Sequence, residues 1–184
     1  MPATPPAYPF VPKSNRWLEA GQFWAIPLSN GLFACGRVLD VPRVDDLHVP
    51  VNSRMFLAGL VDWSGTEPPI GDGIAGSGIL DQGFAHIKAI LSTGGEILGS
   101  RPLMLDRIVP MRWRSHVAGG TVWTFEGARR VRPVTDADRD LPVMGTWGYS
   151  VIRLLAEERF VGPASAQWMV QTELGDIRTS RRRS

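Results

Sequence analysis

Ser29-Asn30-Gly31 stands between two apolar, β-rich runs, QFWAIPL (Gln22 to Leu28) and LFACGRVLD (Leu32 to Asp40). Asn-Gly so placed is the strongest short-range hairpin signal, because both residues tolerate positive φ. Pro27 lacks a backbone donor and belongs at an edge or a bulge beside the turn. Gly36, inside the second run, predicts a bend or a close backbone approach.

Proline and glycine cut the remaining chain into short pieces. RMFLAGLVD (Arg54 to Asp62) reads as a buried strand, and Ser64 to Gly78 is too rich in glycine and proline for a regular element. Leu80, Phe84, Ile87 and Leu91 recur at helical offsets, which predicts an amphipathic helix ended by Gly94-Gly95. Short strands are expected at Glu96–Leu98, Arg107–Trp113, Thr121–Phe125 and Arg129–Val134, with a final one over Gln167–Thr172. Trp147, Val151, Leu154 and Leu155 place an apolar stripe on a helix from about Gly148 to Phe160. The pattern predicts an α+β, mostly β fold: a small antiparallel, partly open barrel or strongly twisted sheet with one or two packed helices. Residues 1–15 read as a Pro-rich arm, 16–175 as a single β-rich domain and 176–184 as a basic flexible tail. Val41 to Pro50, with two prolines and Asp45-Asp46, reads as an exposed loop.

The chain of 184 residues carries 20 basic and 18 acidic groups, a net charge of +2 that exerts little long-range pull on a polyanion. The charge is uneven: residues 1–98 hold six basic and nine acidic residues, against fourteen and nine in residues 99–184. The single Cys35 excludes an intrachain disulfide and a cysteine metal cluster, and fits a reducing compartment. The opening residues lack a secretory pattern and no apolar run reaches a membrane span, so a cytoplasmic protein with no membrane partner is expected.

Catalytic signatures do not assemble. Gly71-Asp72-Gly73-Ile74-Ala75-Gly76 matches the letters of a dinucleotide loop, with Glu96 twenty residues on. A working loop must leave a strand and open a helix, whereas Pro68-Pro69 precede this one and Ser77-Gly78 follow it. His48, His86 and His116 have no metal-ligand spacing, and no cofactor or metal is expected. Asp45, Asp46 and His48 would suit proton transfer, but side by side on a loop they read as solvated charges. Cys35, on one strand face with Phe33 and Arg37, reads as a small buried hydrophobe.

Arg112 and Arg114 flank Trp113, and Arg129, Arg130, Arg132 and Arg181 to Arg183 follow. Arginine forks suit phosphates and aromatics suit bases, so a small β-barrel nucleic-acid-binding or regulatory module using this half is the alternative reading. Against it, strand alternation turns Trp113 away from its arginines and into the core, and Glu126, Asp136, Asp138 and Asp140 are close in sequence. Of the seven tryptophans, spread over the whole chain, an exposed one would mark a protein-binding hot spot, with Trp63 the candidate.

Gly21, Phe23, Ala25, Ile26, Pro27, Leu28, Gly31, Gly36, Arg37, Val38 and Leu39 resemble the opening of the immunity protein 26 family of bacterial polymorphic toxin systems. The match lies within Glu19–Leu39, with Met55–Asp62 as further support, and departs at Gln22, where that family carries an acidic residue. In physical terms Phe23 and Ile26 bury, Gly31 turns and Gly36 bends. The resemblance implies a β-rich protein without catalytic residues, monomeric or weakly dimeric, that binds a cognate protein toxin and silences it by occlusion. A toxin acting on nucleic acid presents a basic cleft, so the acidic first half is expected to make the contact, through Asp45 and Asp46 first, then Arg37 and Trp63.

Overall fold

The computed structural model describes residues 4, 6–43, 53–115, 121–143 and 145–167. Strands β1 (Gln22–Pro27) and β2 (Phe33–Asp40) pair antiparallel, with Phe23 opposite Arg37 and Pro27 opposite Phe33. Their turn uses one left-handed residue rather than two: Gly31 has φ 83°, and Asn30 does not take a positive φ. The Gly31 N–H donates to the Leu28 carbonyl at 3.1 Å and the Leu28 N–H to the Leu32 carbonyl at 2.8 Å, closing a three-residue loop. Asn30 contributes through its side chain, whose Oδ1 accepts the Leu32 N–H at 3.1 Å.

The chain continues through β3 (Met55–Gly65), β4 (Ile79–His86), the single-turn helix α1 (Lys88–Leu91) and β5 (Gly99–Ser100). Then come β6 (Arg112–Arg114), β7 (Trp123–Glu126), β8 (Arg129–Pro133), β9 (Thr146–Trp147) and helix α2 (Val151–Phe160). One sheet has the order β5-β1-β2-β3-β4-β9, antiparallel except for the β4–β9 pair; the other has the order β6-β7-β8. The fold is α+β and mostly β, with one partly open six-stranded sheet.

Both faces of that sheet are covered, which is why β2 and most of β3 are buried residue after residue. Trp24, Ile26, Val38 and Leu60 pack on one face with Ile90 of α1 and Ile152 and Ala156 of α2. On the other, Phe23, Cys35 and Val61 pack with Ile74 of the glycine-rich segment, and Leu39, Leu57 and Phe84 pack with Trp113 and Phe125 of the small sheet. Phe10 bridges to Ile97 and packs on the helix-side core, so the described part of the proline arm lies on the domain. Glu157 of α2, fully buried, accepts the Ser29 N–H and hydroxyl, each at 2.8 Å, and the Ser165 hydroxyl at 2.8 Å, tying the β1–β2 turn to the helix.

Several expected elements are corrected. The helix over Leu80–Leu91 is the strand β4 followed by α1. Phe84 and Ala85 feed the cores on opposite faces, and the apparent helical period runs across two elements, Leu80 and Phe84 in β4 and Leu91 in α1. Trp147 packs its indole directly on Gly83, where any Cβ would collide. Trp147 itself belongs to β9, and α2 buries Ile152, Ala156 and Glu157 rather than Val151 and Leu154. The strand expected over Arg107–Trp113 shrinks to Arg112–Arg114 behind a 3-10 turn at Leu103–Asp106, and β5 lies just past the Glu96–Leu98 expected. Val41 and Pro42 are buried rather than looped out. The Asp45, Asp46 and His48 loop, nearly all of the Gln167–Thr172 strand and the basic tail lie outside the described residues.

Gly36 shows why its position takes glycine. Trp24, directly across the ladder, lays its indole on the Gly36 backbone, and its Nε1–H donates to Thr93 Oγ1 at 3.1 Å, fixing the ring there. A Gly36→Ala change drives a methyl into that ring and is expected to cost about 1–3 kcal/mol, read as a lower urea midpoint with an unchanged slope.

Candidate functional site

Arg37, on β2, faces the small-sheet side and is fully buried. Its Nη1–H donates to Asp106 Oδ2 at 2.8 Å and its Nη2–H to the Arg101 carbonyl at 2.6 Å. Asp106 also accepts the Arg101 Nε–H, at 3.0 and 3.1 Å to its two oxygens, and the Gly76 N–H at 2.8 Å. Gly21, at φ 95°, lets the same segment approach closely: its carbonyl accepts the Arg101 N–H at 3.0 Å, and a Cβ there would run into the Arg101 carbonyl. Two residues of the hairpin motif, Gly21 and Arg37, therefore grip the segment Arg101–Asp106.

What they hold is an exposed apolar knuckle. Leu103–Asp106 forms the 3-10 turn, and Arg107 closes it in the left-handed region at φ 56°, a conformation that costs a non-glycine residue about 1–2 kcal/mol. The Arg107 N–H donates to the Met104 carbonyl at 3.2 Å and the Ile108 N–H to the Leu103 carbonyl at 3.0 Å. Asp106 and Ile108 point inward, whereas Met104 is 88%, Leu105 63% and Val109 77% exposed. Three large apolar side chains thus sit in solvent within six residues, on backbone fixed from below.

Burial alone would raise the Asp106 carboxyl, but the Gly76 amide and the Arg37 and Arg101 guanidiniums outweigh it and hold it below the usual carboxylate range. Asp138 is held lower still by Arg132, which it binds at 2.6 and 2.9 Å, and by Thr135. A carboxyl whose folded pKa lies below its unfolded value of about 3.9 contributes stability above that value, lost as pH falls through the folded one. The melting temperature is therefore expected to drop steeply between about pH 5 and pH 2, and Asp106→Asn to flatten that drop. An Asp106→Asn profile parallel to wild type would contradict this account.

The glycine-rich segment at Gly71–Gly76 folds as consecutive turns around the buried Ile74, and the anion its Gly76 amide meets is the protein's own Asp106. Arg37, expected as a contact residue, is corrected to a buried clamp. Trp63 is half-buried near the end of β3, its ring against Gly65 and its side chain packed beside the Ile74 cluster. Among the motif residues Phe23 and Ile26 are buried and Pro27 is exposed at the end of β1. Burial pushes the Cys35 thiol up, against the opposing pull of Arg37, so it stays protonated. Trp113 lies in the core as its alternation requires, and the arginines around it meet acids: Arg129 lies 2.6 Å from Glu126, and Arg112 is 3.9 Å from both Glu126 and Asp138. Among the described residues no group of three or more His, Cys, Asp or Glu is placed to hold a metal ion, and no helix is long and apolar enough to cross a membrane.

Sequence reasoning missed Met104, Leu105, Asp106 and Val109. The available signal was Leu-Met-Leu-Asp-Arg-Ile-Val between Pro102 and Pro110, an apolar run broken by a charged pair and fenced by two residues without a backbone donor. No family model, curated protein or solved structure matches this chain.

Proposed function

We propose that this chain is an immunity-type binding protein that neutralises a bacterial toxin effector by occlusion, with the Met104, Leu105 and Val109 knuckle as its anchor. The supporting observation is the exposure of these three side chains on a clamped turn. Isolated exposed apolar residues are ordinary, but several on a strained, rigidly braced turn suit insertion into a partner's pocket. Rigid presentation also lowers the ordering cost of binding. On this reading Arg37 acts from beneath the interface, and the contact surface lies in the second half of the chain, opposite to what the charge division suggests.

Co-expression with the effector domain encoded beside this gene tests the reading. The wild-type chain is expected to protect the cell, and Leu105→Asp to fail while keeping its melting temperature. The lost anchor should weaken binding of the purified effector by about thirtyfold or more. A wild-type chain that neither binds nor protects against that effector would sink the proposal.

A further inference from the structure

The outer edge of β1 is covered for only part of its length, since β5 pairs with it at Gln22 and Phe23 alone. The Gly21 and Phe23 carbonyls accept the Arg101 and Leu98 N–H groups, each at 3.0 Å, so the backbone groups of these alternate residues turn outward, away from β2. Ala25 is next in that series. The covering chain has already left the edge there: the Ile97 N–H donates to the Phe10 carbonyl at 3.0 Å instead. Among the described residues neither the Ala25 N–H nor its carbonyl meets a partner on the outer side.

At this uncovered stretch Ala25 lines a cavity of about 190 Å³. Pro27, Phe33, Pro68 and Leu98 supply its apolar walls. Ala25 alternates with Phe23 and Pro27 on one face of the strand, and its single methyl group leaves the hollow between them. Gly94, at φ 130°, lines the cavity without a side chain, and a Cβ there would stand 3.9 Å from the Ala25 carbonyl oxygen. Glu96 also lines it, exposed, and no cation pairs with it among the described residues. Pockets that enclose a cofactor-sized ligand span about 300–1,000 Å³, so a hollow of this size suits one side chain. An unpaired strand edge beside a slot for one side chain is the pattern of recognition by strand addition.

We propose that this edge is a docking site for an extended peptide segment that carries an aliphatic residue followed by a lysine or arginine. The aliphatic residue stands opposite Ala25, exchanges two backbone hydrogen bonds with it and, because opposed residues share a face, enters the cavity. The basic residue meets Glu96, an exposed pair that contributes less than the slot does. Pro27, which has no N–H to donate, limits the added strand to this short stretch. The site is separate from the knuckle and stands or falls independently of toxin binding.

Titration of the full-length chain with the peptide acetyl-Thr-Val-Leu-Lys-Thr-amide, followed by nuclear magnetic resonance, tests the site. The Ala25 and Glu96 amide signals are expected to shift together, and the Ala25 N–H to exchange more slowly with solvent as it gains an acceptor. Methylating the leucine nitrogen removes the donor to the Ala25 carbonyl and should weaken binding about tenfold. Aspartate in place of that leucine should abolish binding. Glu96→Lys should weaken the lysine peptide about fivefold at low ionic strength, and less in high salt. Ala25→Leu fills the slot and should block the peptide; the peptide variants carry the test even if that chain folds poorly. An Ala25 signal unmoved by the peptide, or a methylated peptide that binds as well as the parent, would overturn the proposal. So would a chain that dimerises through this edge, lost in Ala25→Leu by analytical ultracentrifugation, since its occupant is then a second copy.

Discussion

An Arg37→Met chain is expected to lose about 3–5 kcal/mol of stability, because it strips the buried Asp106 carboxylate of a buried partner. Arg101 reaches the same carboxylate from a partly exposed position and keeps the loss toward the lower end of that range. The double variant Arg37→Met with Asp106→Leu removes both buried charges and should recover at least half of it. Arg37 Nε is buried without a hydrogen-bond partner, which adds to the cost of keeping this ion pair. Urea denaturation of the four chains in the cycle measures the coupling. Amide exchange reads the second consequence: the Arg107 and Ile108 N–H groups, which close the knuckle, should exchange faster in both charge-altered chains. A single Arg37→Met effect under about 0.5 kcal/mol would mean that the ion pair contributes nothing beyond what water and Arg101 supply.

Trp113→Ala should be as damaging, at about 3–5 kcal/mol. The Trp113 ring stacks on Phe125 with centroids 3.9 Å apart and meets Phe84 of the large sheet edge-on at 5.8 Å. Its Nε1–H donates to the Gly127 carbonyl at 2.8 Å, closing the β7–β8 turn. A three-stranded sheet of such short strands depends on its packing face, so losing this ring should melt the small sheet before the large one and split the transition seen by fluorescence from that seen by circular dichroism. Trp113→Phe keeps the stacking and loses the hydrogen bond, and should cost only about 1–2 kcal/mol. Coincident transitions in Trp113→Ala would show that the two sheets unfold as one unit regardless of this contact.

The hairpin was legible because its signal is local. Gly31 must enter the left-handed region to turn the chain, and continuous apolar runs flank it on both sides, so neighbours in sequence suffice to specify it. The core position of Trp113 was legible for the same reason, since alternation within three residues decides it. The helix expected at Leu80–Leu91 failed because its four apolar residues span two elements, Leu80 and Phe84 in β4 and Ile87 and Leu91 at α1, and only pairing with β3 reveals that the first two lie on a strand. The buried face of α2 was misplaced because Trp147, counted into its stripe, is claimed by the backbone of Gly83.

The candidate site illustrates the division more sharply. Gly21, Gly36 and Arg37 stood out as members of one motif, and their work within the hairpin was partly apparent. Nothing local indicated that Arg37 would be buried whole, because its carboxylate partner lies sixty-nine residues away, or that Gly21 would admit the Arg101 backbone. Spacings of a few residues specify the β-rich class, the first hairpin, the burial of Phe23, Ile26 and Trp113, and the pairing of Arg129, Arg132 and Arg139 with acids three to six residues away. Long-range contacts alone establish that Arg37 grips Asp106 while Met104, Leu105 and Val109 face outward. An ion pair across two segments and the exposure of the turn between them exist only once both faces of the sheet are covered.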